Sequence, residues 1–113
     1  EKKTSEVRRL TDLEQAEVQH NKAIRGYIIR CLVKGYNNTA LTRQISNSMM
    51  AAGLILSPDI GKHLDYLEDA GYIEYTDEKV TAYTAYAKDA VIKLTKEGVD
   101  LAEGTIEDPG VDI

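Results

Sequence analysis

The chain has 113 residues, 42% of them hydrophobic and 29% charged, with a formal net charge of −5 at pH 7. That size and composition are typical of one globular domain, and a single cysteine excludes an intramolecular disulfide. No apolar run approaches the roughly 18 residues that cross a bilayer, and the first residues hold no hydrophobic signal region. These features predict a soluble, cytoplasmic protein and argue against membrane and exported ones.

The charges are segregated along the chain. Between Val18 and Pro58 there is no Asp or Glu, and the five cations of this stretch are Lys22, Arg25, Arg30, Lys34 and Arg43. From Asp59 onward, fourteen acids face five lysines. A basic domain is the usual signature of a nucleic-acid binder. The net negative charge therefore argues against a simple nucleic-acid binder. Contacts with phosphates are expected only from the first half of the chain.

Helical periodicity dominates the first half. A thin amphipathic pattern predicts a helix over residues 5–19, or one that begins at a capping box formed by Thr11 and Glu14. A stronger apolar stripe predicts a helix over residues 21–35, in which Cys31 is expected to be a buried thiol. A further helix is predicted over residues 41–52, before Gly53.

The next helix has the clearest sequence limits. Ser57-Pro58-Asp59 is typical of a helix start, and Gly71 is typical of a helix end. Ile60, Leu64 and Leu67 recur between them at helical spacing and predict one buried stripe.

The region after Gly71 predicts a β-hairpin. Residues 72–76 alternate like a half-buried strand, residues 77–79 can turn, and residues 90–94 form a returning strand. The intervening residues 80–89 either extend these strands or form a long exposed loop. Thr95 can cap a short helix that ends at Gly104, and residues 105–113 form an acidic tail that cannot continue it.

This order of elements predicts an α+β fold of the winged helix-turn-helix type. It has a three-helix core, a β-hairpin wing, an extra N-terminal helix and a short C-terminal helix. The predicted division is an N-terminal helix at 1–20, a winged-helix domain at 21–104 and an acidic tail at 105–113.

Two stretches resemble the winged-helix DNA-binding superfamily. One runs from Ile60 through Leu64 and Leu67 to Gly71-Tyr72-Ile73, and the other contains Ile92, Leu94-Thr95 and Gly98. More narrowly, the chain resembles small uncharacterised winged-helix proteins of Mu-like phages and prophages. The residues that carry this narrower resemblance are Leu67-Glu68, Gly71, Leu94-Thr95, Gly98-Val99-Asp100, Gly104 and Pro109-Gly110-Val111. The resemblance implies a winged helix of phage or prophage origin and brings no catalytic residue.

A winged helix binds DNA by placing its third helix in the major groove. Three of the six side chains expected to be exposed on that helix are acidic, namely Asp59, Asp65 and Asp69, and these would oppose the phosphates. The preceding helix supplies neutral donors and one cation and is expected to do much of the holding. The predicted DNA contacts are Thr42, Arg43, Gln44, Asn47, Lys62, His63, Tyr66, Lys79 and Lys88.

The alternative function is a protein-interaction or assembly adaptor. The chain is expected to form a homodimer in which the N-terminal helix buries Val7, Leu10 and Leu13. Alternatively, the basic front of one copy would meet the acidic back of another, head to tail, in rings or filaments. The sequence contains no nucleophile motif, zinc spacing or glycine-rich phosphate loop. We therefore expect no enzyme activity, cofactor, metal or small-molecule ligand.

Overall fold

The described residues, 11–113 of a computed structural model, form helices and a small antiparallel sheet. The mixed architecture confirms the predicted α+β class. A 3₁₀ turn at Tyr36–Asn38 follows the first helix. In chain order, the elements are α1 (Asp12–Lys34), β1 (Thr39–Leu41), α2 (Thr42–Ala51), α3 (Gly61–Asp69), β2 (Ile73–Tyr75), α4 (Ala85–Lys88), β3 (Val91–Leu94) and α5 (Lys96–Ala102).

Helix α1 is continuous through the point where two helices were predicted. The capping box is present: Thr11 Oγ1 accepts from the Glu14 backbone N–H at 3.1 Å, and Glu14 Oε1 accepts from the Thr11 N–H at 2.9 Å. The separation into helices over 5–19 and 21–35 is wrong for residues 12–34, because the chain there stays helical without a break. The first ten residues, including Val7 and Leu10, lie outside the described part of the chain.

The sheet has the strand order β1-β3-β2, and both pairings are antiparallel. The predicted hairpin is confirmed, with Ile73 opposite Leu94 and Tyr75 opposite Ile92. Strand β1 was not predicted, because three residues are too few to show an alternating pattern. It makes the opposite edge of the sheet and places Ala40 across from Ile92.

Helix α3 begins later than predicted and ends where expected. Ser57 Oγ accepts from the Asp59 N–H, and Asp59 Oδ1 accepts from the Gly61 N–H at 3.0 Å. These two side chains build turns ahead of the helix, so the prediction of Ser57 as its N-cap is wrong. At the other end, Gly71 takes a left-handed φ of +85° and donates to Glu68 O. The predicted stripe is buried against the core.

The connection between β2 and β3 is neither an extended hairpin nor an exposed loop. Val80, Ala82 and Ala85 are buried in it, and they draw the chain back onto the core. Helix α4 forms there and ends at Asp89, whose φ is +47°. The predicted cap of α5 is confirmed, because Thr95 Oγ1 accepts from the Gly98 N–H.

The acidic tail is packed against α1. Val111 is buried, the Asp112 N–H donates to Lys22 O at 3.1 Å, and Arg25 donates to Gly110 O at 3.0 Å. A Cβ on Gly26 would overlap the Asp112 carbonyl oxygen, so only glycine admits this contact. The last residues therefore belong to the folded unit.

We expect Gly26→Ala to lower the free energy of unfolding by about 1–3 kcal/mol, the usual cost of overpacking. The loss comes from the clash with the tail, so a chain without the tail serves as the control. In a chain shortened after Pro109, the same substitution should stabilise by up to about 1 kcal/mol, because alanine is the better helix former. Urea unfolding of the four proteins tests this, and a loss of equal size in both backgrounds would contradict it.

Candidate nucleic-acid interface

Thr42, a predicted DNA contact, is fully buried at the start of α2. Its hydroxyl donates to Ala90 O at 2.7 Å and its backbone N–H donates to the same oxygen at 2.9 Å. Both groups are committed to attaching α2 to the residue that precedes β3. The prediction of Thr42 as a DNA contact is therefore wrong.

His63 is also buried, with 4% of its surface exposed. Burial is the main reason why its pKa falls from 6.5 to about 4, and the charges of Lys62 and Arg25 lower it further. The imidazole is thus neutral at pH 7, and its Nδ1 has no hydrogen-bond partner within residues 11–113. Because the ring is buried, its N–H groups cannot reach a phosphate, so this predicted contact is wrong too.

Tyr66 faces α1 and the tail with part of its ring. The Arg25 guanidinium lies 3.8 Å from the ring centroid, a cation–π distance. Gly110 packs against the Tyr66 hydroxyl so closely that a Cβ there would overlap it. These contacts give Tyr66 a structural role in docking the tail.

The exposed side of α3 is acidic. Lys62 is exposed there, but Asp65, Glu68 and Asp69 follow it. Burial, with repulsion from the two aspartates, raises the pKa of Glu68, which indicates how crowded these carboxylates are. Such a surface would repel phosphates, so Lys62 lies in an unfavourable place for DNA.

Helix α2 carries three of the remaining predicted DNA contacts on its exposed side. Arg43, Gln44 and Asn47 are all exposed there. Arg43 Nε donates to Tyr86 O at 2.9 Å, and its NH2 group donates to Ala87 O at 2.8 Å. A guanidinium has five N–H donors, so this one is held in position with donors still open.

Helix α4 brings a second cation to the same place. Lys88 is exposed and directly follows Ala87, whose carbonyl oxygen accepts a hydrogen bond from Arg43. Asp89 Oδ1 accepts from the Arg43 backbone N–H at 3.0 Å and offsets part of the positive charge. We call Arg43, Gln44, Asn47 and Lys88 the α2–α4 surface.

Two predicted residues lie apart from that surface. Lys79 is on the turn after β2, where Asp77 Oδ1 accepts its backbone N–H. Leu13, the only predicted dimer residue in the described part of the chain, is 83% exposed on the first turn of α1. Both positions stay predictions.

Sequence reasoning named Tyr86 only as a possible wing contact and did not connect Tyr86 or Asp89 with Arg43, which both of them position. They lie more than forty residues from it along the chain, and no local pattern connects them. The predicted burial of Cys31 is only half right. The thiol is partly exposed and lines a groove of about 550 Å³ between α1, β1 and α2, and burial raises its pKa.

Comparison with protein-family models, with curated proteins and with solved structures finds no match. Within residues 11–113, no group of three or more His, Cys, Asp or Glu side chains could hold a metal ion. In the same range, no helix is long and apolar enough to cross a membrane. The geometry of the residues is therefore the basis for a functional proposal.

The lowered pKa of His63 predicts a loss of stability in acid. Because folding favours the neutral ring, its contribution is complete above pH 6.5 and is lost as the pH falls from 6.5 toward 4. At about 1.4 kcal/mol per pKa unit, the loss reaches up to about 3 kcal/mol.

Unfolding free energies of wild type, His63→Gln and His20→Gln between pH 7 and 4 test this. His20 is exposed and serves as the matched control. The His63 variant should lose less stability in acid than the other two proteins. Equal pH dependence in all three would contradict the assignment.

Proposed function

We propose that this chain is a non-enzymatic winged-helix module that binds duplex DNA through the α2–α4 surface. The observation that carries the proposal is Arg43, an exposed guanidinium on a helix without an acidic residue. The carbonyls of Tyr86 and Ala87 hold it against α4, the helix that ends with the exposed Lys88. Fixed guanidinium groups suit phosphate recognition, because less side-chain freedom is lost on binding. Gln44 and Asn47 add neutral donors along the same helix.

The topology supports a winged helix. Strand β1 lies between α1 and α2, helices α2 and α3 follow one another, and β2 and β3 form the hairpin beside β1. Apart from β1, this is the predicted order of elements. A fold does not fix a function, so DNA binding is inferred from the surface residues.

In our proposal, α3 does not enter the major groove. Its exposed acids would face phosphates on both sides of the groove, and His63 is unavailable as a donor. The protein would contact the phosphate backbone of the DNA, and such contacts distinguish poorly between DNA sequences. For duplex DNA, the slope of log K against the logarithm of the salt concentration is roughly −0.9 per phosphate contact. Because the surface has two cations, we expect a slope of about −2.

The role that we propose is that of a transcriptional regulator or a phage DNA-handling accessory in the bacterial cytoplasm. Both roles suit weak backbone binding that is increased by assembly or by a partner. A protein-interaction adaptor is the second candidate, and the groove beside β1 favours it. Tyr36 and Leu41 at this groove are 85% and 42% exposed.

The DNA proposal is tested by Arg43→Glu and Lys62→Glu, which change the charge equally on α2 and α3. Arg43→Glu should weaken binding to a random-sequence duplex roughly tenfold or more, the loss expected for a charged hydrogen bond. The salt slope should also fall by about one. Lys62→Glu should change binding far less. Fluorescence anisotropy over a salt series measures both.

The control is Lys93→Glu, an exposed lysine on β3, with circular dichroism to confirm folding. Stronger loss from Lys62→Glu than from Arg43→Glu would place DNA on α3 and refute the α2–α4 surface. Absent binding by the wild-type protein at low salt would refute the DNA function as a whole.

A further inference from the structure

The groove beside β1 lies in the acid-free half of the chain. Its lining includes Lys34, Tyr36, Leu41 and Ile45 and contains no Asp or Glu. Tyr36 and Leu41 add apolar surface that nothing in residues 11–113 covers. An exposed apolar patch of this kind is typical of an interaction site. Its surroundings favour an acidic partner.

An acidic surface lies on α3 and the turn after β2. Tyr83, which is 67% exposed, lines a shallow pocket with Asp65 and Asp69 and gives this surface an aromatic contact. Lys62 and Lys79 are the cations between residues 61 and 79. The carboxylates of the acidic surface are Asp65, Glu68, Asp69, Asp77 and Glu78.

The strand order separates the two surfaces. Helix α2 contacts β1, and α3 contacts β2. Because β1 and β2 are the two edges of the sheet, the groove and the acidic surface lie toward opposite edges, about 10 Å apart by strand spacing alone. One molecule cannot bring its own two surfaces together, whereas two molecules can.

We propose that the acidic surface of one molecule docks on the β1 groove of a second copy, head to tail. Lys34 then faces carboxylates, and Tyr36 and Leu41 contact the side that carries Tyr83. The contact uses different patches on the two molecules, so it forms a ring if the rotation closes and a filament if it does not. The association goes beyond the DNA function and requires no DNA.

Charge and apolar area both contribute to this contact. The chain as a whole is negative, so long-range repulsion opposes association while the local pairing of opposite charges favours it. We expect association that rises with protein concentration. It should weaken when salt shortens the screening length to about 3 Å at about 1 M.

Single-surface variants test the proposal. The front variant carries Lys34→Gln and Tyr36→Ser at the groove, which remove its charge and its aromatic ring, and the back variant carries Asp65→Lys and Asp69→Lys on α3. Each retains one working surface, so each alone should stay monomeric at concentrations where the wild type forms oligomers. An equimolar mixture should form dimers and stop there, because the remaining two surfaces are both disabled.

Sedimentation velocity on nucleic-acid-free protein measures these masses, and circular dichroism confirms that the variants fold. The control carries Glu103→Lys and Glu107→Lys, which change the charge as the back variant does but lie at the exposed end of α5 and in the tail. It should oligomerise as the wild type does or more strongly. The proposal is overturned if the wild type is monomeric throughout, if either variant alone still associates, or if the mixture stays monomeric. If dimers form in both variants, the contact lies elsewhere, for example within the first twenty residues.

Discussion

The buried side of α1 is the constraint on which the rest of the structure depends. Ile28, Ile29 and Leu32 are completely buried there. Helix α1 contacts α2, α3, α5, β1 and β3, so most of the fold is arranged around it. Burying one such side chain contributes roughly 1.5–3 kcal/mol. The same helix also receives the tail at Gly26, which means that the first and last parts of the described chain depend on each other.

This arrangement explains why charge segregated along the sequence becomes charge segregated in space. The acid-free stretch forms most of α1, all of β1 and all of α2, whereas the acidic stretch forms α3, β2 and every later element. A sheet of order β1-β3-β2 then places these two groups toward opposite edges. There are two exceptions. Helix α4 packs on α2, where Asp89 accepts from the Arg43 backbone N–H, and the tail packs on α1, where the carbonyls of Gly110 and Asp112 accept from Arg25 and Arg30. Two of the five cations in the acid-free stretch are thereby partly engaged, and this limits how basic the open surface is.

Features that depend on neighbouring residues could be predicted from the sequence, and features that depend on contacts between distant residues could not. The stripe of α3, its end at Gly71 and the cap at Thr95 each depend on neighbours within a few residues, and each was predictable. The burial of Thr42 depends on Ala90, and the placement of Arg43 on Tyr86 and Ala87, all more than forty residues away. Polar residue type alone could not separate these committed side chains from free ones, so the predicted site mixed them. His63 shows the same limit, because a histidine expected to be exposed is buried in the folded chain.

The two proposed contacts use neighbouring sides of α2 and share only Gln44. Arg43 and Asn47 are one turn apart on its open side, while Gln44 and Ser48 line the groove beside β1. A head-to-tail array built through the groove would leave Arg43, Asn47 and Lys88 of successive copies open to DNA. Each copy offers only two cations there, too few for strong binding to a phosphate backbone alone. An array adds these weak contacts together, because linked sites bind one strand with a far higher effective concentration. Assembly is therefore the means by which this acidic α+β module would hold DNA.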